Sequence, residues 1–167
     1  MKTWAILGIL AALLASCGGT DLKTVNLEPT LIQDGDLPAG FTGAQVNDIL
    51  PPMFQTVPAP TKALYQGFQR NGDVAGGVTV LLYDADADRD VTYVASVKGF
   101  GGDGRSQTDV GERASILAKD VQSFSFVDLV FVRCHAVAHI RFIGTSKPGD
   151  ATAYARRLDQ RLTPLVC

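Results

Sequence analysis

The chain has 167 residues, 46% of them apolar, and a formal net charge of −2. That is one domain's worth of chain, ample for a core. A slightly acidic balance with no basic run and no basic–aromatic stripe excludes nucleic acid from the expected partners.

The N-terminus reads MKTWAILGILAALLASCGGT. Lys2 is a one-charge leader, and Trp4 to Leu14 is an apolar run of about eleven residues. A bilayer-spanning helix needs about 20, so residues 1–16 are expected to be a signal peptide, apart from the fold. Leu14-Ala15-Ser16-Cys17, placed where the apolar run ends, resembles the lipobox of bacterial lipoproteins. The resemblance implies that Cys17 takes a diacylglycerol thioether, becomes the first mature residue and is acylated further. Membrane lipid is then a partner: one chain holds marginally and two or three hold firmly, at about 0.8 kcal/mol per buried CH₂. Gly18, where aspartate would mark inner-membrane retention, leans towards the outer membrane in a two-membrane host. Nucleotide cofactors are scarce outside the cytoplasm, so none is expected, and disulfides become permissible.

Residues 17–30 read as a lipidated N-terminus and tether, and residues 31–167 as a single extracytoplasmic domain. Leu31 and Ile32 lead into the turn cluster Asp36-Leu37-Pro38-Ala39-Gly40, and Phe41 to Val46 reads as a first strand. The segment ILPPMFQTVPAPTK holds four prolines in fourteen residues and should be irregular. Residues 62–70 and 76–84, flanking Asn71-Gly72, read as a hairpin. Ala87, Val91, Val94, Ala95 and Lys98 fall at helical spacing, which predicts an amphipathic helix over 85–98. Residues 113–118 read as a short strand, and the segments FSFVDLVFVR and AVAHIRFIG as a second hairpin. Ala151, Tyr154, Ala155, Leu158 and Leu162 share one face of a closing helix, with Asp150 as its cap. The expected class is α+β: a largely antiparallel sheet of about five or six strands, with the two helices packed on one face.

Three motifs invite chemistry. Asp84, Asp86 and Asp88 match the first positions of a calcium loop. Arg89 stands where glycine is needed and Ala95 where the bidentate glutamate belongs, so the run reads as a helix start with Asp84 as cap. Gly99, Gly101 and Gly104 satisfy G-x-G-x-x-G but follow a helix instead of a strand, and the 99–105 stretch reads as a flexible loop, either covering a ligand or without a role. The third is FVRCHAVAHIRF, residues 131–142. His135 and His139 on a strand stand roughly 13 Å apart, too far for one ion, so no metal is expected. Strand neighbours face apart, so Cys134 and His135 would not pair as nucleophile and base. A hairpin turn at Arg133-Cys134-His135 is more economical than one very long strand, and both histidines then read as solvent-facing sheet or turn residues. With Cys17 lipidated, only Cys134 and Cys167 remain. They are either a structural disulfide, worth about 3–4 kcal/mol of loop entropy, or inert thiols.

The segments DLPAGF, LLYDADADRD, DVGERA, LVFVRCHAVAHI and AYARRLDQRL, in that order, resemble the PsbP-like α/β sandwich superfamily and the sensor-like domains of actinobacterial lipoproteins. Glu112 stands where the family pattern has aspartate, and Cys134-His135 replaces a Gly-Asn-like turn. The resemblance covers about residues 30–162. It implies a binding, sensing or assembly role outside the cytoplasm and transfers no catalytic residue. The leading expectation is a lipid-anchored binding or accessory module that is not an enzyme. The alternatives are a small enzyme using Cys134 or His135, and a purely structural envelope protein.

Overall fold

The computed structural model describes residues 20–47, 51–101, 109–121, 124–145 and 147–167. The expected signal peptide and lipobox, residues 1–17, and residues 102–108 of the glycine-rich stretch lie outside the described residues. Six strands form: β1 (Phe41–Asn47), β2 (Lys62–Arg70), β3 (Asp73–Leu82), β4 (Arg113–Val121), β5 (Phe124–Arg133) and β6 (Ala136–Ile143). Helix α1 (Asp86–Gly99) joins β3 to β4, and α2 (Pro148–Val166) follows β6. The sheet order is β1-β2-β3-β6-β5-β4, with every neighbouring pair antiparallel. The α+β class and the antiparallel sheet agree with the sequence.

Turn chemistry sets the register. Asn71 and Gly72 both take positive φ, 55° and 87°, as the tight turn between β2 and β3 requires. Cys134, at φ 44°, sits in the turn between β5 and β6. That turn pairs Arg133 with Ala136 and carries Asp128 opposite Arg141.

The helices lie on opposite faces of the sheet, not on one as the sequence reading expects. Side chains alternate along a strand. Val78, Val80 and Leu82 of β3, with Leu129 and Phe131 of β5, pack under Tyr154, Leu158 and Leu162 of α2. Leu81, Tyr83, Val130, Val132 and Val137 point the other way and pack with Tyr93, Val97 and Phe100 at α1. Runs such as Val80-Leu81-Leu82-Tyr83 are apolar on both sides because the central strands are covered twice.

α2 buries the expected face, and each fully buried leucine there stabilises by about 1.5–3 kcal/mol. It starts at Pro148, with Lys147 in the cap position and no side-chain cap, so Asp150 lies in the first turn and is not the cap. α1 forms where expected but is turned about its axis. Thr92, Tyr93, Ser96 and Val97 are buried, while Val91 is 55% and Val94 44% exposed. The buried hydroxyls are satisfied: Thr92 Oγ1 donates to the Tyr83 hydroxyl at 2.9 Å and Ser96 Oγ to the Thr92 carbonyl at 2.8 Å. Ala85 occupies the cap position without a side-chain bond, and Asp84 accepts instead from Thr61 Oγ1 at 2.8 Å. Asp86 and Asp88 do occupy the first turn, at the positive end of the dipole.

The segment expected as tether is also packed. Leu22, Val25 and Leu27 join the α2-side core, so among the described residues packing starts at Leu22 and not at 31. Asp36 fastens this segment to α2: its carboxylate accepts from Arg161 Nη2 at 2.7 Å and pairs with Arg157 Nε at 3.2 Å.

Candidate functional site

The FVRCHAVAHIRF stretch forms the β5–β6 hairpin. At its turn Cys134 is bonded to Cys167, with sulfurs 2.09 Å and Cα atoms 5.4 Å apart. The alternative of a Cys134 nucleophile therefore loses its thiol. The Cys134 backbone N–H donates to Glu112 Oε1 at 2.8 Å, and its carbonyl accepts from Arg89 Nη1. His135 is half-buried in the turn, with Nδ1 3.1 Å from the Tyr83 carbonyl. A carbonyl only accepts, so Nδ1 carries the proton. The Tyr83 N–H returns the bond to the His135 carbonyl at 3.0 Å. Both residues are structural parts of the turn, as expected for His135.

His139 is not solvent-facing, contrary to the sequence reading. It lies on the α1 side of β6 and is only 4% exposed. Its ring stacks on Phe100, 6.0 Å between centroids at 8°, and meets Phe54 edge-on at 5.6 Å. Nε2 lies 2.8 Å from Oδ1 of Asp128, which is 0% exposed. The same carboxylate takes a two-pronged bond from Arg141, Nε to Oδ1 at 2.7 Å and Nη2 to Oδ2 at 2.8 Å. Burial pushes the Asp128 carboxyl up, but the hydrogen bonds and positive charge of its two partners outweigh this and hold it below the ordinary carboxylate range. The Asp128 pairing in turn holds the Arg141 guanidinium even more firmly protonated.

His139 and Arg141 of this triad form one side of a cleft of about 180 Å³, lined also by Met53, Tyr65, Val74, Thr79 and Ile143 over a floor of Gly76 and Gly77. The floor is glycine by necessity. A Cβ on Gly76, at φ 118°, would lie 1.9 Å from the Arg141 carbonyl oxygen, and one on Gly77 would lie 2.7 Å from the Tyr65 ring. Tyr65 can therefore lie flat across β3 beside the cleft. His139 Nδ1 and Arg141 Nη1 make no protein hydrogen bond among the described residues. One acceptor-capable and one donor-only group thus line a partly apolar space.

A larger groove of about 520 Å³, between Phe41, Arg70, Gly144, Lys147 and Asp150, has polar lining groups that are all half-buried or exposed. Arg70 there is already committed to the Gly144 carbonyl at 2.8 Å and to the Phe41 ring. Among the described residues no three His, Cys, Asp or Glu side chains converge as a metal site.

The Asp128–His139–Arg141 group escaped the sequence reading, although a signal existed. Once the turn at Cys134-His135 is accepted, antiparallel pairing sets Asp128 opposite Arg141 and places His139 on the same face, two residues along. Comparison of the chain with protein families, with curated proteins and with solved structures finds no match to any of them.

Proposed function

We propose that the protein is a lipid-anchored extracytoplasmic lipoprotein whose domain, of the PsbP-like kind, serves as a binding, sensing or assembly accessory module. One observation carries this reading. Of three cysteines, Cys134 and Cys167 are joined, and the third, Cys17, ends the sequence Leu14-Ala15-Ser16-Cys17. A structural disulfide suits an oxidising compartment and leaves Cys17 as the thiol for lipid. In a two-membrane host Gly18 directs the protein to the outer membrane. The cleft over Gly76 and Gly77, lined by His139 and Arg141 among apolar side chains, supports binding over a purely structural role.

The test is Cys17→Ser in the native host, followed by mass spectrometry of the membrane fraction. Lipidated, processed protein is expected for wild type, and unlipidated protein for the variant. Equal mature mass and equal membrane retention in the two would refute the anchor. Trp4 offers a second readout, because it is the only tryptophan and leaves with the signal peptide. Membrane-extracted protein should emit as tyrosine alone.

A further inference from the structure

We infer that the domain meets the bilayer with its disulfide end, turned that way by a link too short to let it invert. The inference rests on the lipoprotein reading and deepens it by naming which surface meets the lipid headgroups and which faces away. Acylation holds Cys17 at the headgroup layer. Among the described residues packing starts at Leu22, which is 1% exposed in the α2-side core. Only residues 18–21 separate it from Cys17. An extended chain gains at most about 3.6 Å per residue, so the link reaches no more than about 18 Å. A domain of about 150 residues has a radius of gyration of about 15 Å, which makes a globule roughly 38 Å across. The link is therefore shorter than half the width of what it carries.

The point where the chain enters the fold decides which end faces the lipid. The Lys62 ammonium donates to the Val25 carbonyl at 2.5 Å and to the Lys23 carbonyl at 3.3 Å. Lys62 opens β2 opposite Leu82, and Leu82 pairs with Ala136 beside the turn at Cys134. The first packed residues and the Cys134–Cys167 bond thus share one end of the sheet. From there the segment runs to the other end. The Ile32 N–H donates to Gln66 Oε1 at 2.9 Å midway along β2, and Phe41 pairs with Arg70 at its close. That far end also carries the Asn71-Gly72 turn and Phe124, and eight strand steps put it about 26 Å from Lys62. An inverted domain would lift Leu22 farther from the lipid than the link reaches. Averaged over the orientations that remain, the disulfide end lies nearer the headgroups than the far end. The cleft over Gly76 and Gly77 belongs to the far half, since Gly76 pairs with Phe68 close to the Asn71-Gly72 turn. It is thereby held towards soluble partners and away from lipid.

The experiment uses single tryptophans, because processed protein has none of its own once Trp4 leaves with the signal peptide. Thr163→Trp places one on the exposed side of α2, a single turn before Cys167. Phe124→Trp places the other at the far end, exchanging one aromatic ring for another at a position that is 44% exposed. Each protein is expressed with its native leader, extracted and reconstituted in phosphatidylcholine vesicles that carry a nitroxide on the lipid headgroup. Quenching is divided by that from a water-soluble nitroxide, which corrects for exposure. Thr163→Trp should be quenched at least threefold more than Phe124→Trp. Inserting about fifteen Gly/Ser residues between Gly19 and Thr20 adds about 22 Å of reach and should bring the two together. Equal quenching with the native link, stronger quenching of Phe124→Trp, or a preference that survives the insertion would each overturn the inference. The lipid mass of the same preparations separates the two readings. Lipidated protein without the preference sinks this inference alone, and unlipidated protein sinks the anchor and this inference with it.

Discussion

The Arg133 guanidinium and the Asp159 carboxylate form a two-pronged pair, Nε to Oδ1 at 2.7 Å and Nη2 to Oδ2 at 2.6 Å, that ties the end of β5 to α2. Asp159 Oδ2 also accepts from the Gly111 N–H at 3.1 Å, and Glu112 next door accepts from Cys134. Three segments, DVGERA, LVFVRCHAVAHI and AYARRLDQRL, therefore meet at one end of the sheet. Gly111, Glu112, Arg133 and Asp159 form a latch between elements that are far apart in the chain.

Breaking that latch should be costly. Asp159→Asn keeps the shape but leaves Arg133 without its charge partner in a largely buried place, so about 3 kcal/mol of stability is expected to go. Arg133→Lys loses the fork but keeps the charge, and should fall between the variant and wild type. Urea unfolding midpoints decide the matter. A loss below about 0.5 kcal/mol in Asp159→Asn would place the pair with ordinary surface ion pairs.

The Cys134–Cys167 bond closes the same end. It spans a sequence separation of 33 residues, for which the chain-entropy model gives about 3–4 kcal/mol. Reduction should lower the melting temperature, and Cys134→Ser with Cys167→Ser should match the reduced wild type. Thiol titration of denatured, lipidated protein should find no free thiol before reduction and two after it. Two free thiols before reduction would exclude the bond.

How much of this was legible in the sequence depends on which physical signal each element uses. Strand limits and hairpins could be read because Asn71-Gly72 and the apolar alternation are local. The orientation of α1 could not be read from hydrophobicity. Its buried face carries Thr92 and Ser96, whose hydroxyls are satisfied by Tyr83 and by the helix itself, while Val91 and Val94 face out. Polar residues that bond internally look like surface residues in a one-dimensional pattern. The opposite placement of the helices was written in the continuous runs of β3 and β5, since strands apolar on both sides need cover on both. His139 was missed because its partner Asp128 is on the neighbouring strand, and only the register joins them. The packed 22–30 segment was missed because three apolar residues among polar ones resemble a linker until α2 and Asp36 are in place.

Tyr154 suggests a substitution that should raise stability. Its ring is fully buried against Phe68 and Phe142, but its hydroxyl has no hydrogen-bond partner among the described residues, and burial drives its ionisation far above the ordinary tyrosine range. An unmet buried hydroxyl is a net cost, so Tyr154→Phe is expected to stabilise by about 1 kcal/mol. Calorimetry should show a higher melting temperature. A drop of similar size would mean that the hydroxyl is satisfied in solution.

Asp128 makes stability depend on pH in a defined window. Its folded value is depressed below the usual value of about 3.9, so its contribution is fully present above that pH and is lost as pH falls through the folded value. Asp128→Asn should cost about 3 kcal/mol at pH 7, because His139 and Arg141 lose their shared partner. The gap between wild type and variant should then close on acidification below about pH 4. Denaturation curves from pH 2 to 7 measure this, and a gap that stays constant would show that Asp128 does not set the slope.

The orientation of α1 can be tested by substitutions on its two faces. Val91→Lys and Val94→Glu alter side chains in the open, and each should change stability by no more than about 0.5 kcal/mol. Tyr93 packs in the α1-side core beneath the Arg113 guanidinium, 4.9 Å from its ring. Removing that ring with Tyr93→Ala should cost about 3–5 kcal/mol, as for other buried aromatics. Thr92→Val deletes the hydroxyl that donates to Tyr83 and should cost about 1 kcal/mol, despite adding a methyl group to a core position. The reverse order, with Val94→Glu severely destabilising and Tyr93→Ala silent, would restore the face that hydrophobic spacing alone suggests.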